Sequence, residues 1–149
     1  MSEASTSETL VIERTYEAPA TAVFDAFTHE DVMRRWWHAQ RDWTTSEASV
    51  DLRVGGAVRV DMREPDGDTH GGGGHYTVVD RPRRLAFTWT WDDDSDRETL
   101  IELDFLEAEG RTTVLLTHSA LADEDAVRNH EDGWSKCLEN LGRALVDQQ

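Results

Sequence analysis

The last thirty or so residues constrain the fold most, because they carry one long amphipathic helical pattern behind a chain whose middle shows strand patterns. The predicted helix runs from about 123 to 146, and its acidic first turn suits the positive end of the helix dipole. Its apolar face carries His130, Gly133 and Trp134, where a helix on a closed core more usually carries leucine or valine. We therefore expect this helix to cover a cavity.

Alternation of apolar and polar residues predicts antiparallel strands ahead of the helix, at 10–16, 57–62, 76–79, 85–91, 101–105 and 114–118. Two short helices are predicted after the first strand. One starts at Pro19 and runs to about Phe27, and the next follows Thr28, which forms a capping box with Asp31. We expect an α+β fold in which a curved antiparallel sheet of six or seven strands wraps around the long helix.

Four consecutive glycines, Gly71 to Gly74, raise the question of a phosphate-binding loop. That motif needs a Gly-Lys-Ser/Thr sequence and a helix directly after the loop, and neither follows here. A glycine run between two predicted strands is more typical of a flexible hairpin arm or a bulge. We interpret it in that way.

Length and composition indicate one domain at 10–147 behind a flexible acidic tail at 1–9. No apolar run is long enough to span a bilayer, and the N-terminus does not have the pattern of a secretory signal. The single cysteine, Cys137, rules out a disulfide within the chain. These features predict a cytoplasmic protein.

The chain is strongly acidic, with 31 acidic residues against 15 basic ones and a net charge of −16. Spread over a globule of this mass, the acidic groups would lie roughly 16 Å apart. Repulsion over that distance acts in dilute buffer and is screened in brine, where the Debye length falls to about 3 Å. The composition fits an acidic mesophilic protein or, as we favour, a halophile protein. In both cases nucleic acids and anionic membranes are unfavourable partners.

Five sequence blocks stand out in order along the chain: Arg35-Trp36-Trp37, Asp51 to Gly56, Arg84 to Trp89, Leu116-Thr117-His118, and His130 followed by Gly133-Trp134. Together they resemble the activator of heat-shock protein 90 ATPase homologue family, which belongs to the START-like (SRPBCC, helix-grip) superfamily. The resemblance covers about 10–146 and implies the helix-grip fold. It leaves the function open, since the superfamily includes lipid carriers, cyclases, hydroxylase subunits and co-chaperones.

The expected site is a cavity between the sheet and the long helix, and the expected ligand is a small hydrophobic or amphipathic molecule. Inward-facing positions predict its lining as Phe27, Trp36, Val58, Val60, Met62, Tyr76, Phe87, Trp89, Leu116, His118, His130 and Trp134. No metal and no cofactor are expected, because paired ligand spacings are missing from the sequence.

Two other functions remain open at this stage. The first is a cyclase- or hydrolase-type enzyme in which His118 or His130 transfers a proton and Tyr76 orients the substrate. The second is a stress-related co-chaperone of the heat-shock protein 90 type that acts through its surface. The oligomeric state is open as well, and a homodimer is one alternative.

Overall fold

The structure is a computed structural model that describes residues 8–40 and 42–147. Most of the predicted tail, residues 1–7, therefore lies outside the described residues, and Glu8 begins the first strand. The elements in chain order are β1 (Glu8–Tyr16), α1 (Ala20–Ala26), α2 (Glu30–Trp36), β2 (Thr44–Val50), β3 (Ala57–Arg63), β4 (Thr69–Asp80), β5 (Arg84–Trp91), a 3-10 turn (Asp92–Asp94), β6 (Thr99–Ala108), β7 (Arg111–Leu121) and α3 (Glu124–Asp147).

The seven strands form one sheet in the order β1-β7-β6-β5-β4-β3-β2, and every neighbouring pair is antiparallel. The backbone of α3 comes closest to β1, α1 and α2. Across the middle of the sheet, side chains rather than closely packed backbones join α3 to the strands. The predicted α+β arrangement, with a curved sheet around a long C-terminal helix and two short helices after the first strand, is confirmed.

The long helix is held to the sheet by a stripe of apolar side chains at helical spacing. Trp134, Leu138, Leu141 and Leu145 are buried, and Val127 is partly buried. The helix starts where the side chain of Asp123 accepts a hydrogen bond from the Ala126 N–H at 2.9 Å. This N-cap satisfies one of the backbone donors that a helix start leaves without a partner.

The capping box predicted at Thr28 is wrong. The second helix begins at Glu30 after His29, and no side chain caps it. The Thr28 hydroxyl instead donates backwards to the Phe24 carbonyl at 3.2 Å, at the end of α1. A threonine hydroxyl can bond to either neighbouring turn, and here the end of α1 takes it. Pro19 is the N-cap of α1 rather than its first helical residue.

Of the two alternatives predicted for the glycine run, the bulge is wrong, and the run lies in the second arm of the β3–β4 hairpin. Gly71 to Gly74 lie inside β4 and pair with β3 on one side, and Gly72 and Gly73 pair with β5 on the other. The bulge between β4 and β5 comes later, between Tyr76 and Val78. The glycines serve close packing, because a Cβ on Gly72 would lie 2.8 Å from the Trp89 ring and one on Gly74 would lie 2.0 Å from the Thr88 carbonyl oxygen.

Candidate functional site

A cavity of about 190 Å³ lies between α3 and the concave face of the sheet. Three parts of the fold form it: α3, the strands β3, β5, β6 and β7, and the segment after α2. Its lining residues are Trp37, Ala39, Met62, Trp89, Trp91, Ile101, His118, Asn129, His130, Gly133, Trp134 and Cys137. None of these lining residues is Asp, Glu, Lys or Arg, so the part of the cavity wall that the structure describes carries no permanently charged side chain.

His118, on β7, is buried and both of its ring nitrogens have partners within the protein. The indole N–H of Trp134 donates to His118 Nδ1 at 3.1 Å. Since an indole can only donate, Nδ1 carries no proton and Nε2 does. His118 Nε2 lies 2.8 Å from the Thr99 hydroxyl oxygen and donates to it, and that hydroxyl donates to the Trp89 carbonyl at 2.9 Å.

His130, on α3, has the opposite tautomer for the same kind of reason. Its Nδ1 lies 2.7 Å from the Ala126 carbonyl oxygen, which can only accept, so Nδ1 carries the proton. Its Nε2 then accepts a hydrogen bond from the Trp91 indole N–H at 3.1 Å. Both histidines are therefore neutral in this arrangement, and each accepts a hydrogen bond from one tryptophan.

The two histidine rings contact each other edge to face, with centroids 4.8 Å apart. Burial, together with the neighbouring His130, lowers the pKa of His118 to about 3. Burial also raises the pKa of the Cys137 thiol to about 12. At neutral pH the cavity thus offers an uncharged imidazole whose nitrogens are both in use and a thiol that stays protonated. Neither group is prepared for acid–base or nucleophilic catalysis.

Four tryptophans supply most of the aromatic surface of the cavity. Trp37 stacks on Trp89 with ring centroids 5.9 Å apart, and it meets Trp134 at 5.6 Å. Trp91 packs edge to face on Trp89 at 5.3 Å. Contacts of this kind fix ring orientations more firmly than apolar burial alone. The cavity is therefore bounded by aromatic rings that hold one another in place.

Of the twelve residues predicted from the sequence as the lining, the structure brings five to the cavity: Met62, Trp89, His118, His130 and Trp134. The other seven lie in the packed core: Phe27, Trp36, Val58, Val60, Tyr76, Phe87 and Leu116. Phe27 and Trp36, for example, pack edge to face at 4.7 Å, and the Trp36 indole donates to the Ala26 carbonyl at 3.0 Å. Their inward-facing positions do not distinguish core from cavity.

Tyr76 is buried in that core and does not line the cavity. Its hydroxyl has no hydrogen-bond partner among the described residues. Burial raises the pKa of this phenol, so it stays protonated at any physiological pH. The predicted role of orienting a substrate would need this hydroxyl at the cavity surface.

Several lining residues were not among those predicted, although some carry a signal. Trp91 continues the alternation of Phe87 and Trp89, and Cys137 lies on the same helix face as Gly133 and Trp134. Ile101 likewise alternates with the polar residues of β6, on the same side as Leu103 and Phe105. Ala39 lies outside the regular elements, and no periodic pattern indicates that it reaches the cavity.

A second, more polar groove of about 570 Å³ adjoins the cavity. The two spaces share Ala39, Met62, Trp91, Asn129 and His130. Beyond these, the groove is lined by Trp43, Thr69, His70, Gly71 and the three aspartates Asp92, Asp93 and Asp94. The ring of Trp91 therefore borders both the apolar cavity and the acidic groove.

One carboxylate of the groove is neutralised within the protein. Arg59 donates to both oxygens of Asp92 at 3.0 and 2.5 Å, and it also binds Asp61. The guanidinium lowers the pKa of Asp92. Asp93 and Asp94 are exposed, and neither pairs with a basic side chain among the described residues. The groove next to the cavity thus carries negative charge.

Away from the cavity, the turn between β3 and β4 brings together Glu64, Asp66 and Asp68, whose nearest ligand atoms all lie within 4.8 Å. Glu64 already pairs with His70 at 2.5 Å. Exposed carboxylates gather in this way on acidic proteins without holding a metal, and this group shares no residue with the cavity.

The family described as Activator of Hsp90 ATPase homolog 1-like protein matches residues 17–146. The chain belongs to this family. The resemblance seen in the sequence blocks is thereby confirmed, with the START-like superfamily that it implies.

Solved structures of several bacterial proteins have the same fold. An AHSA1-like protein from Aeromonas hydrophila is 30% identical, with a TM-score of 0.80 over 95% of this chain and 94% of that one. An AHSA1 protein from Silicibacter pomeroyi is 25% identical, with a TM-score of 0.84 over 95% and 100% of the two chains. A protein from Chromobacterium violaceum, at 21% identity and a TM-score of 0.83 over 91% and 95%, shares the fold.

No curated protein matches the chain closely enough to supply an activity. Within the described residues, no helix is both long and apolar enough to cross a membrane.

Proposed function

We propose that this protein binds a small hydrophobic or amphipathic organic molecule in the cavity between α3 and the sheet. The observation that carries the proposal is that the ring nitrogens of His118, His130, Trp91 and Trp134 all have hydrogen-bond partners within the protein. Because those hydrogen bonds are complete without a ligand, the cavity presents mainly ring faces and apolar side chains. A space of this kind favours apolar ligands over water.

The volume sets the size of the ligand. A cavity of about 150 Å³ in another protein accommodates benzene. The present cavity, at about 190 Å³, suits one ring with a short substituent. Larger ligand sites run to roughly 300–1,000 Å³. A larger amphipathic molecule would therefore extend into the adjoining groove, where its polar end would meet water and the aspartates.

The hydrogen bonds of the histidines disfavour the catalytic alternative. A general base needs a free lone pair facing its substrate, but the lone pair of each imidazole is occupied by an indole N–H. The co-chaperone alternative would gain from a contiguous apolar surface. The large exposed apolar side chains of the described residues are instead distributed over β1, the loop after β2, β6 and α3: Val11, Leu52, Val54, Leu106 and Val146.

Gly133 offers the most direct test of the site. It lines the cavity, and a Cβ at this position would reach only Ala39, at 3.4 Å. In the variant Gly133→Leu, the leucine side chain should therefore fill the part of the cavity in which we propose that the ligand binds. We expect the affinity for tert-butylbenzene to fall more than about tenfold, or about 1.4 kcal/mol. Tryptophan fluorescence can follow binding, since four of the six tryptophans line the cavity.

Gly142→Ala is the matched control. It also removes a glycine from α3, but its Cβ would make ordinary contact with Tyr16 at 3.6 Å, away from the cavity. This variant should bind the probe as the wild type does. Equal affinity in wild type and Gly133→Leu, with the helix intact by circular dichroism, would refute the proposed site.

A further inference from the structure

The residues at the boundary between the cavity and the groove indicate which charge a ligand would carry. The cavity itself is neutral, and its walls are formed largely by the rings of Trp37, Trp89, Trp91 and Trp134. The face of an indole ring is electron-rich, and it attracts cations more strongly than the face of phenylalanine or tyrosine does. Trp91 lines both the cavity and the groove, and we call the boundary between these two spaces the mouth of the cavity. A polar end group of a ligand would lie there.

The groove outside the mouth is acidic on the side where Trp91 ends β5. The next three residues are Asp92, Asp93 and Asp94, and all three line the groove. Of these three aspartates, only Asp92 pairs with Arg59. Among the described residues no Lys or Arg lines either the cavity or the groove. Of the two histidines that line the groove, His70 is paired with Glu64, and both ring nitrogens of His130 are hydrogen-bonded. A cation at the mouth would thus meet the carboxylates of Asp93 and Asp94, which make no ion pair among the described residues.

The whole molecule reinforces this preference. Its net charge of −16 raises the concentration of cations near its surface and lowers that of anions. A carboxylate, sulfonate or phosphate ligand would have to approach against this field and then lie beside Asp93 and Asp94, which have no basic partner among the described residues. An ammonium group would gain from both the field and the aspartates.

We propose that the ligand is a small organic cation, with an apolar or aromatic part in the cavity and an ammonium group at the mouth against Trp91, Asp93 and Asp94. This inference rests on the proposed function and specifies the ligand class of the same site. The volume requires this orientation, because about 190 Å³ accommodates a single ring, and the charged group then stays at the mouth, partly hydrated. The rings supply the cation–π contact and the aspartates supply the charge.

Three probes that share a phenyl ring separate the effect of charge from that of shape. Phenyltrimethylammonium and tert-butylbenzene have nearly the same shape and differ by one positive charge, whereas benzenesulfonate carries a negative charge. In 0.1 M KCl, titrations followed by tryptophan fluorescence should show the cation binding about tenfold more tightly than the neutral probe. Benzenesulfonate should bind most weakly. The advantage of the cation should shrink in 2 M KCl.

The variant Asp93→Asn/Asp94→Asn tests where the charge acts. Both residues are exposed and make no ion pair among the described residues, so the fold should tolerate the change. We expect the preference for the cation to fall several-fold while tert-butylbenzene binds unchanged. The control Glu8→Gln/Glu13→Gln removes the same two charges from β1, at the opposite edge of the sheet from β2. It should leave the preference nearly intact.

The outcomes distinguish this inference from the function on which it rests. If tert-butylbenzene binds in the cavity and phenyltrimethylammonium binds no more tightly, the cation inference is wrong and the binding function stands. Equal losses of cation preference in the two double variants would reduce the effect to net charge and would also overturn the assignment to the mouth. If none of the three probes binds, the proposed function fails as well.

Discussion

A proton that enters the ring of His118 would break a hydrogen bond inside the core. It would have to enter at Nδ1, the ring nitrogen without a proton, where it would displace the hydrogen bond from the Trp134 indole. His118 is therefore a site at which acid acts against the folded state.

The pH dependence follows from the two states of His118. Its pKa is about 3 in the folded protein and about 6.5 when unfolded. Between these values the unfolded chain binds a proton that the folded protein does not. The free energy of unfolding must then fall as the pH falls below about 6.5, and this contribution is fully present only above that pH. From pH 7 to pH 5 the expected loss is about 2 kcal/mol.

His118→Phe removes the titrating group and keeps an aromatic ring in its place. The variant should be less stable than wild type at pH 7 by about 1–3 kcal/mol, because the Trp134 N–H loses its acceptor. Its further loss between pH 7 and pH 5 should be smaller than that of wild type by about 2 kcal/mol. Urea unfolding at the two pH values measures both effects. Exposed His75, changed to Phe, is the control and should keep the wild-type pH dependence.

The sequence predicts which way these histidines face but not what they bond to. Alternation along β7 places His118 inward beside Leu116, and helical spacing places His130 with Trp134. The partner Thr99 comes from β6, and Trp91 comes from the end of β5. Which tautomer each ring has depends on these non-local contacts. The sequence could not exclude the catalytic hypothesis, because an imidazole with a free nitrogen and one whose nitrogens are both hydrogen-bonded fit the same sequence pattern.

Among the secondary-structure elements, β4 shows how a local signal can mislead. Glycine runs favour turns because isolated glycine is flexible, but the strands on both sides and the Trp89 ring leave no space for a Cβ in this segment. The edge strand β2 has the opposite problem. Its sequence is polar, and the strand has a bulge between Thr45 and Glu47. It therefore lacks the alternation of apolar and polar residues that predicted the other six strands.

Gly74→Ala should be strongly destabilising, although alanine is normally the smallest possible addition. Its Cβ would overlap the Thr88 backbone carbonyl and hydroxyl, at 2.0 and 2.4 Å, so β4 and β5 would have to separate. We expect a cost of at least about 1–3 kcal/mol in thermal or urea unfolding. Gly142→Ala in α3 is the contrasting control, and it should gain up to about 1 kcal/mol from helix propensity. Equal effects at the two positions would contradict the packing role assigned to β4.

For the whole molecule, the sequence predicted the order of elements and the position of the cavity-covering helix better than the cavity lining. The periodic patterns fix which side chains point between α3 and the sheet. They do not fix the distance between the two layers, which decides whether an inward side chain meets another side chain or a space. Val60 and Phe87 lie in the packed core, whereas Met62 and Trp89, each two residues further along the same strand, reach the cavity.

The surface charge leads to a prediction that depends on no single site. Some arginines each pair with two carboxylates: Arg59 pairs with Asp61 and Asp92, and Arg84 pairs with Glu102 and Asp104. With 31 acidic and 15 basic residues, at least 16 carboxylates cannot have a basic residue of their own. Folding brings these groups closer together than they are in the unfolded chain, so their repulsion lowers stability in dilute buffer.

Potassium chloride should therefore stabilise the fold, because added salt screens the repulsion between carboxylates. Between 0.1 and 2 M the Debye length falls from about 10 Å to below 3 Å, so the repulsion that remains over a spacing of roughly 16 Å is progressively removed. We expect the melting temperature to rise throughout this range. The variant in which Glu8, Glu13, Asp93 and Asp94 become amides should melt higher than wild type in 0.1 M salt and gain less from added salt. A general salting-out effect would raise both proteins equally, and a flat melting temperature in wild type would exclude the halophile interpretation.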